Sequence, residues 1–331
     1  MEIEIISEAK GRRRQPKRAI PSSSATEFQP PQRRTRSRAK EENKAIRAPL
    51  TTIGTPPSDS ASAITTESTS LADSTPYTTL PNTLTTRLTG LTKPQLALLH
   101  RKKAQLQDPS QPSLDLVTAT AVEATLVFAQ EEAGTAVCIS PAGLLLTCSH
   151  CVAESPEELA ETENKWLLFA SGQVVQTKCI SWDPKRDLAL LQIVAAQPLL
   201  VNGTTFPSIS PAEHPPAPGA PLLCIGHPGS EDLEVSRPGV KTGYDVLHIS
   251  TGHLRGYAKG QDLQDNSEIG ALKHDCWTYW GHSGAPLVER TTGRLVGLHS
   301  SWDDETGMRR GVPLEASSRI DGLRLRKYLR K

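Results

Sequence analysis

Leu144-Leu145-Leu146-Thr147-Cys148-Ser149-His150-Cys151 sets a short apolar run directly before a histidine. Preceded by the turn signal Pro141-Ala142-Gly143, the run reads as a buried strand that delivers His150 at its exposed end. Downstream, Asp187-Leu188-Ala189-Leu190-Leu191-Gln192-Ile193-Val194 places a carboxylate at the mouth of a second apolar strand, shielded and able to accept a hydrogen bond from an imidazole. Further on, Gly281-His282-Ser283-Gly284-Ala285-Pro286-Leu287 flanks a serine with glycines that permit close backbone approach and unusual dihedrals. The order His, Asp, Ser matters. A serine hydroxyl is a poor nucleophile until an imidazole removes its proton and a carboxylate fixes the imidazole's tautomer.

Singly, each segment has a plainer explanation. An isolated His150 is an ordinary surface or core residue, Asp187 a strand-end residue, and Gly281-His282-Ser283-Gly284 a tight turn; Asp183, ahead of Pro184, is read as a turn residue. Three independent turns are not expected to fall in triad order, each with the neighbours its role requires.

The three segments resemble the trypsin-like, chymotrypsin-fold serine peptidases. Thr147-Cys148-Ser149-His150-Cys151 is similar to that family's Thr-Ala-Ala-His-Cys, the Asp187 strand to its Asp-Leu-Ala-Leu-Leu, and Gly281-His282-Ser283-Gly284-Ala285-Pro286 to its Gly-Asp/Asn-Ser-Gly-Gly-Pro. The resemblance covers roughly the last two thirds of the chain. It implies His150 as general base, Asp187 as its orienting carboxylate, Ser283 as nucleophile and the N–H groups of Gly281 and Ser283 as oxyanion hole. A catalytically silent peptide-binding domain of the same fold is the alternative.

Around these segments the pattern is all-β, short strands broken by turns. From about Thr118, runs at 124–129, 134–139, 144–147, 166–169 and 174–182, with the Asp187 strand, make one barrel over about 118–205. The linker Ala212-Glu213-His214-Pro215-Pro216-Ala217-Pro218-Gly219 leads to a second over about 218–313. There Pro221-Leu222-Leu223-Cys224-Ile225-Gly226-His227-Pro228-Gly229 resembles the opening of the second barrel in Deg-type relatives, and Val246 to Gly252 is a further strand. The expectation is two antiparallel Greek-key β-barrels, chymotrypsin-like, with the site in the cleft between them and a short C-terminal helix over about 314–330.

Departures from the secreted trypsins carry information. Where they have an Asp before the nucleophile to pair with a freshly cut N-terminus, this chain has His282, and where trypsin has a carboxylate six residues before the nucleophile it has Trp277. Thr278 and His299 resemble the threonine and histidine of the specificity pocket in bacterial glutamyl endopeptidases, so Trp277, Thr278, His299 and Ser300 are the expected pocket residues. A histidine there could hold an acidic side chain. Asp303 and Asp304 would repel one, and a structural His299 in an enzyme preferring small or aliphatic side chains is the competing expectation.

The chain divides by charge. Residues 1–50 hold 13 Lys/Arg against 6 Asp/Glu, so the remainder of the 37 and 36, 24 against 30, is acidic. Arg12-Arg13-Arg14-Gln15-Pro16-Lys17-Arg18 and Arg33-Arg34-Thr35-Arg36-Ser37-Arg38 fit a nuclear import address, with an import receptor as partner, or a solvated tail. Without interleaved aromatic residues they argue against nucleic acid. Thr51 to Gly90 is rich in Ser and Thr and too poor in bulky apolar groups to offset its chain entropy, so residues 1–90 are expected to be a disordered tail. Thr92 before Lys93-Pro94 starts a helix, with Leu96, Leu99 and Leu106 on one face, in a linker over 91–112; the peptidase domain then spans 113–331.

No apolar N-terminal segment or bilayer-length run is seen, which points to an intracellular protein, nuclear or cytoplasmic, with no membrane partner and protein or peptide as substrate. Six cysteines are then expected as thiols. Cys148-x-x-Cys151 has no second Cys/His pair at ligand spacing, and His274 with Cys276 is a weak candidate, so no metal or cofactor is expected. Asn202-Gly203-Thr204 matches a glycosylation acceptor that would be silent outside the secretory route.

Overall fold

A computed structural model describes residues 77–314, apart from 108–113, 130–133, 162–163, 199–204, 231, 233, 234, 236 and 238. The basic clusters, the Ser/Thr-rich stretch before Tyr77, the Asn202 sequon and the C-terminal helix lie outside these residues. The described chain forms two closed antiparallel barrels of six strands, a chymotrypsin-like fold.

Barrel one consists of β2 (Thr125–Phe128), β3 (Thr135–Ser140), β4 (Leu144–Thr147), β5 (Asn164–Phe169), β6 (Val174–Asp183) and β7 (Leu188–Ala196). They run in the order β7-β4-β3-β2-β5-β6, and β6 pairs back to β7 to close the ring. Barrel two is built from β8 (Pro221–Gly226), β9 (His248–Tyr257), β10 (Leu272–His274), β11 (Pro286–Glu289), β12 (Arg294–Trp302) and β13 (Arg309–Pro313), in the order β10-β13-β12-β11-β8-β9, with β9 pairing to β10. Leu144, Leu145, Leu146 and Thr147 are all buried, because a barrel strand here is covered on its lumen side by its own barrel and on the other by a neighbouring layer. Leu146, Leu188 and Leu190 of barrel one share one apolar cluster with Leu223, Val288, Leu298 and Val312 of barrel two. Burial of that kind of surface, at about 25 cal/mol per Å², holds the barrels together and fixes the cleft where β4 and β7 deliver their end residues.

Two segments differ from the sequence expectation. The barrel expected from about residue 118 is preceded by a helix: Asp115 caps Leu116–Glu123 by accepting from the Thr118 N–H at 3.0 Å and its hydroxyl at 2.7 Å, and the first strand follows at Thr125. Residues 77–90, expected in the tail, pack on barrel one. Thr78–Thr79 (β1) pairs in parallel with Ala195 and Ala196 of β7, and Leu84 and Leu91 are buried beside the helix that follows.

That helix, Lys93–Leu106, begins where expected. Thr92 accepts from the Gln95 N–H while the Gln95 side chain accepts from the Thr92 N–H, a reciprocal capping box that satisfies two end donors. Leu99 and Leu106 are buried against Trp166, Leu168 and Val174, and the Lys102 ammonium reaches the Phe128 carbonyl at 2.6 Å. Leu99→Ala should cost about 2–5 kcal/mol and Thr92→Ala about 1 kcal/mol in urea denaturation. Wild-type stability in Leu99→Ala would show that the helix is not part of the cooperative unit.

Candidate active site

β4 ends at Thr147, and a single 3-10 turn, Ser149–Cys151, lifts His150 into the cleft. The Trp182 indole N–H from β6 donates to the Ser149 carbonyl at 3.0 Å and fixes this turn from the side. Asp187 precedes β7 and is fully buried. Its φ of 54° is the only positive value at a non-glycine among the described residues, and it aims the carboxylate at the turn rather than along the strand. His150 Nδ1 lies 2.8 Å from Asp187 Oδ1. A carboxylate only accepts, so Nδ1 carries the proton, and in the neutral ring Nε2 presents its lone pair to the cleft. Burial acts to lower the imidazole pKa, but the Asp187 charge and the Cys151 thiol beside it outweigh burial and hold it above the ordinary histidine range. With 26% of its side chain exposed, the ring remains open to a substrate.

Ser283 lies on the turn between β10 and β11, partly exposed, with its hydroxyl 3.2 Å from the Ser300 carbonyl. Gly281 and Gly284 have φ of 100° and 82°. At Gly284 a Cβ would lie 2.1 Å from the Thr135 carbonyl, so only glycine fits. The turn is tied down on both sides: Gly284 N–H donates to the His299 carbonyl at 2.8 Å, and from barrel one Thr135 donates its N–H to the Ser283 carbonyl at 3.0 Å and its hydroxyl to the Gly281 carbonyl at 3.2 Å. Among the described residues no acceptor takes the Gly281 or Ser283 N–H. Two fixed, unused donors flanking a serine oxygen are what a developing oxyanion requires.

The residues expected to line the pocket are placed on this side of barrel two, though with other partners than a substrate. The Ser300 hydroxyl donates to Asp187 Oδ2 at 2.7 Å and so supports the carboxylate. Thr278 accepts from Arg309 Nε at 3.1 Å, His299 Nδ1 shares a hydrogen with His274 Nε2 at 3.1 Å, and Trp277 stacks edge-on against Tyr244, His248 and His282. Arg309, on a short polar strand with no periodic signal, was not legible as a site residue. Asp303 pairs with Arg310 at 3.0 Å, while Asp304, exposed, accepts from the neutral Trp302 indole at 3.0 Å and keeps its charge.

His282, at the position before the nucleophile, is fully buried with Nδ1 3.1 Å from both the N–H and the carbonyl of Tyr279, and its Nε2 has no partner. Burial lowers the pKa of His282 and of His274 to about 3 and that of His299 well below the usual value, with Arg309 adding to each shift. All three are neutral at neutral pH.

A paired histidine and buried aspartate on one barrel, with a serine turn on the other tied to it through Thr135, are the arrangement the sequence reading expected of a trypsin-type serine hydrolase. Residues 134–298 match the family model of the trypsin-like peptidase domain, and the chain carries such a domain over that segment. Two proteins described as probable periplasmic DegP-like serine endoproteases, from Pseudomonas putida strains W619 and F1, are each 26% identical over 168 residues, 50% of this chain and 28% of theirs. The chain thus spans little more than a quarter of the length of the curated relatives it matches. Among solved structures, the active form of the Rv3671c protease from M. tuberculosis superposes with a TM-score of 0.43 at 18% identity, covering 61% of this chain and 81% of that one. The serine endoprotease from Yersinia pestis gives 0.45 at 20%, covering 66% and 68%.

The neutral histidines make stability depend on pH in a definite direction. In the unfolded chain each binds a proton below pH 6.5, whereas the folded pKa values lie lower. The folded state is therefore at full strength above pH 6.5 and weakens as the pH falls from there toward the folded values. The expected loss is about 1.4 kcal/mol per pH unit per histidine, read from urea midpoints between pH 6.5 and 4, and His274→Asn should flatten the slope. A flat wild-type profile would show that these rings titrate normally.

Proposed function

We propose that this domain is a serine endopeptidase acting through an acyl-enzyme. The carrying observation is the Nδ1–H to Asp187 hydrogen bond, which presents the basic Nε2 of His150 to the cleft. In the proposed reaction the Ser283 hydroxyl turns from the Ser300 carbonyl to His150 Nε2, loses its proton and attacks the scissile carbonyl. The Gly281 and Ser283 N–H groups bind the oxyanion, and the imidazolium, stabilised by Asp187, protonates the leaving amine. The family and the curated relatives support protein or peptide substrates.

Ser283→Ala should abolish fluorophosphonate labelling and peptide cleavage and leave the circular dichroism unchanged, since one partly exposed hydroxyl contributes little packing. Undiminished labelling would move the nucleophile elsewhere. Asp187→Asn should lower kcat by about 10⁴-fold and, by removing the charge that raises the His150 pKa, shift the acid limb of the pH–rate profile to lower pH.

A preference for acidic side chains before the scissile bond is the finer reading. It is supported by the Arg309 guanidinium on Thr278. Because His299 is neutral, the positive charge in this reading comes from arginine. Glu peptides should be cleaved better than Gln peptides by about 1.5–3 kcal/mol in transition-state energy, with His299→Ala reducing the difference. Equal turnover of the two discards acidic specificity, and a Val or Leu preference favours the aliphatic alternative.

The two basic clusters support an intracellular, nuclear-directed protein as the finer reading of location. No helix among the described residues is long and apolar enough to cross a membrane.

A further inference from the structure

Two thiols bracket the imidazole, and acyl transfer uses neither. Cys148 is fully buried, its thiol donating to the His299 carbonyl at 3.4 Å, and Cys151 is partly exposed, its thiol donating to the Ser283 carbonyl at 3.3 Å. Cys148, Asp187 and His150 bring sulfur, oxygen and nitrogen donors together, and Cys151 follows His150 directly in the chain. The ligand atoms of the first three lie within 4.8 Å of one another, and no other group of three such residues comes together among the described residues. A tetrahedral zinc ion with bonds of about 2.0–2.3 Å holds its donors about 3.3–3.8 Å apart. Closing that gap takes about an ångström of side-chain motion for these three donors, and Cys151 has to leave the Ser283 carbonyl to supply the fourth. The cleft side of the cluster, His150 and Cys151, admits an ion, and the inner side, Asp187 and Cys148, would receive it.

We propose that Cys148, His150, Asp187 and Cys151 bind a zinc ion that switches the peptidase off. The inference rests, for its consequence, on the serine peptidase reading above. On binding, the two thiols release two protons to solvent, Asp187 supplies a carboxylate oxygen, and His150 coordinates through Nδ1 while the ring proton moves to Nε2. An imidazole protonated at Nε2 cannot accept the Ser283 proton, and a carboxylate on the metal no longer orients the ring. Thiolate and imidazole donors select a borderline-soft ion over magnesium or calcium.

The test uses the full chain, reduced and metal-free, titrated with zinc chloride by calorimetry and in peptide hydrolysis, with magnesium chloride as the hard-cation control. One zinc per chain should bind, hydrolysis should fall by about tenfold or more and EDTA should restore it, while magnesium does neither. Cys148→Ser with Cys151→Ser should weaken zinc binding by about 100-fold, and cobalt should give a thiolate charge-transfer absorption in the wild type that this variant lacks. Should the double variant not fold, Cys151→Ala alone serves, together with protection of Cys151 from iodoacetamide by zinc in the wild type. Unchanged zinc affinity in the cysteine variants, a cobalt complex without the thiolate band, or no protection would overturn the site. Ser283→Ala must bind cobalt with the same band. If wild-type Ser283 fails to label with fluorophosphonate while the cobalt band appears, it is the peptidase reading that fails and not the metal site.

Discussion

A carboxylate with no exposure to water sits at the junction of the two barrels, and the rest of the site is arranged around it. Asp187 accepts from the His150 ring at 2.8 Å, the Ser149 hydroxyl at 3.0 Å and the Ser300 hydroxyl at 2.7 Å. The first two donors come from the turn after β4, the third from β12 in the other barrel. Burying a carboxylate costs several kcal/mol unless such bonds are in place, and removing a partner from a buried ion typically costs about 3–5 kcal/mol. The strained φ at Asp187 belongs to the same constraint, because a relaxed backbone would point the carboxylate elsewhere. Barrel closure, the docking of one barrel on the other and the tautomer of the His150 ring are thus linked through one side chain.

Thr135 applies the same linkage to the nucleophile. It accepts from the His227 N–H at 2.9 Å and donates to the Ser283 turn, so a β3 residue of barrel one holds the backbone that carries the Gly281 and Ser283 N–H groups. Gly284 is required by this contact as much as by its own φ, since a side chain would strike the Thr135 carbonyl and the Thr147 hydroxyl. The glycine usually explained by local turn geometry is here also an inter-barrel spacer.

The strands around His150 and Asp187 were legible because long apolar runs bounded by turns have few other solutions: 144–147 was read to the residue, and the Asp187 strand from its first apolar position. What escaped was short, polar or decided at a distance. Leu272–His274 has three residues and Arg309–Pro313 opens with two arginines, so neither shows a period. Leu116–Glu123 was given no element of its own, and the Asp115 cap was the signal that could have shown the helix. In the site, the triad candidates carry their environment in adjacent residues. Ser300 does not: its partner is 113 positions away, and nothing in Val296-Gly297-Leu298-His299-Ser300 says whether a hydroxyl turns to substrate or to Asp187. His299 and Thr278 escape for the same reason, since His274 and Arg309 reach them from other strands.

His282 bears on how the nucleophile loop is held. An ion pair before the nucleophile would make the loop depend on the arrival of a partner charge. Here the ring is neutral and buried, clasps Tyr279 three residues back, and stacks edge-on against Trp277, while Gly284 and Thr135 fix the other side of the turn. Every one of these contacts lies between groups already within the folded domain, and none requires a charge to be created by cleavage. A loop held this way needs no partner charge, and His150, Cys151 and Ser283 are the partly exposed groups beside it.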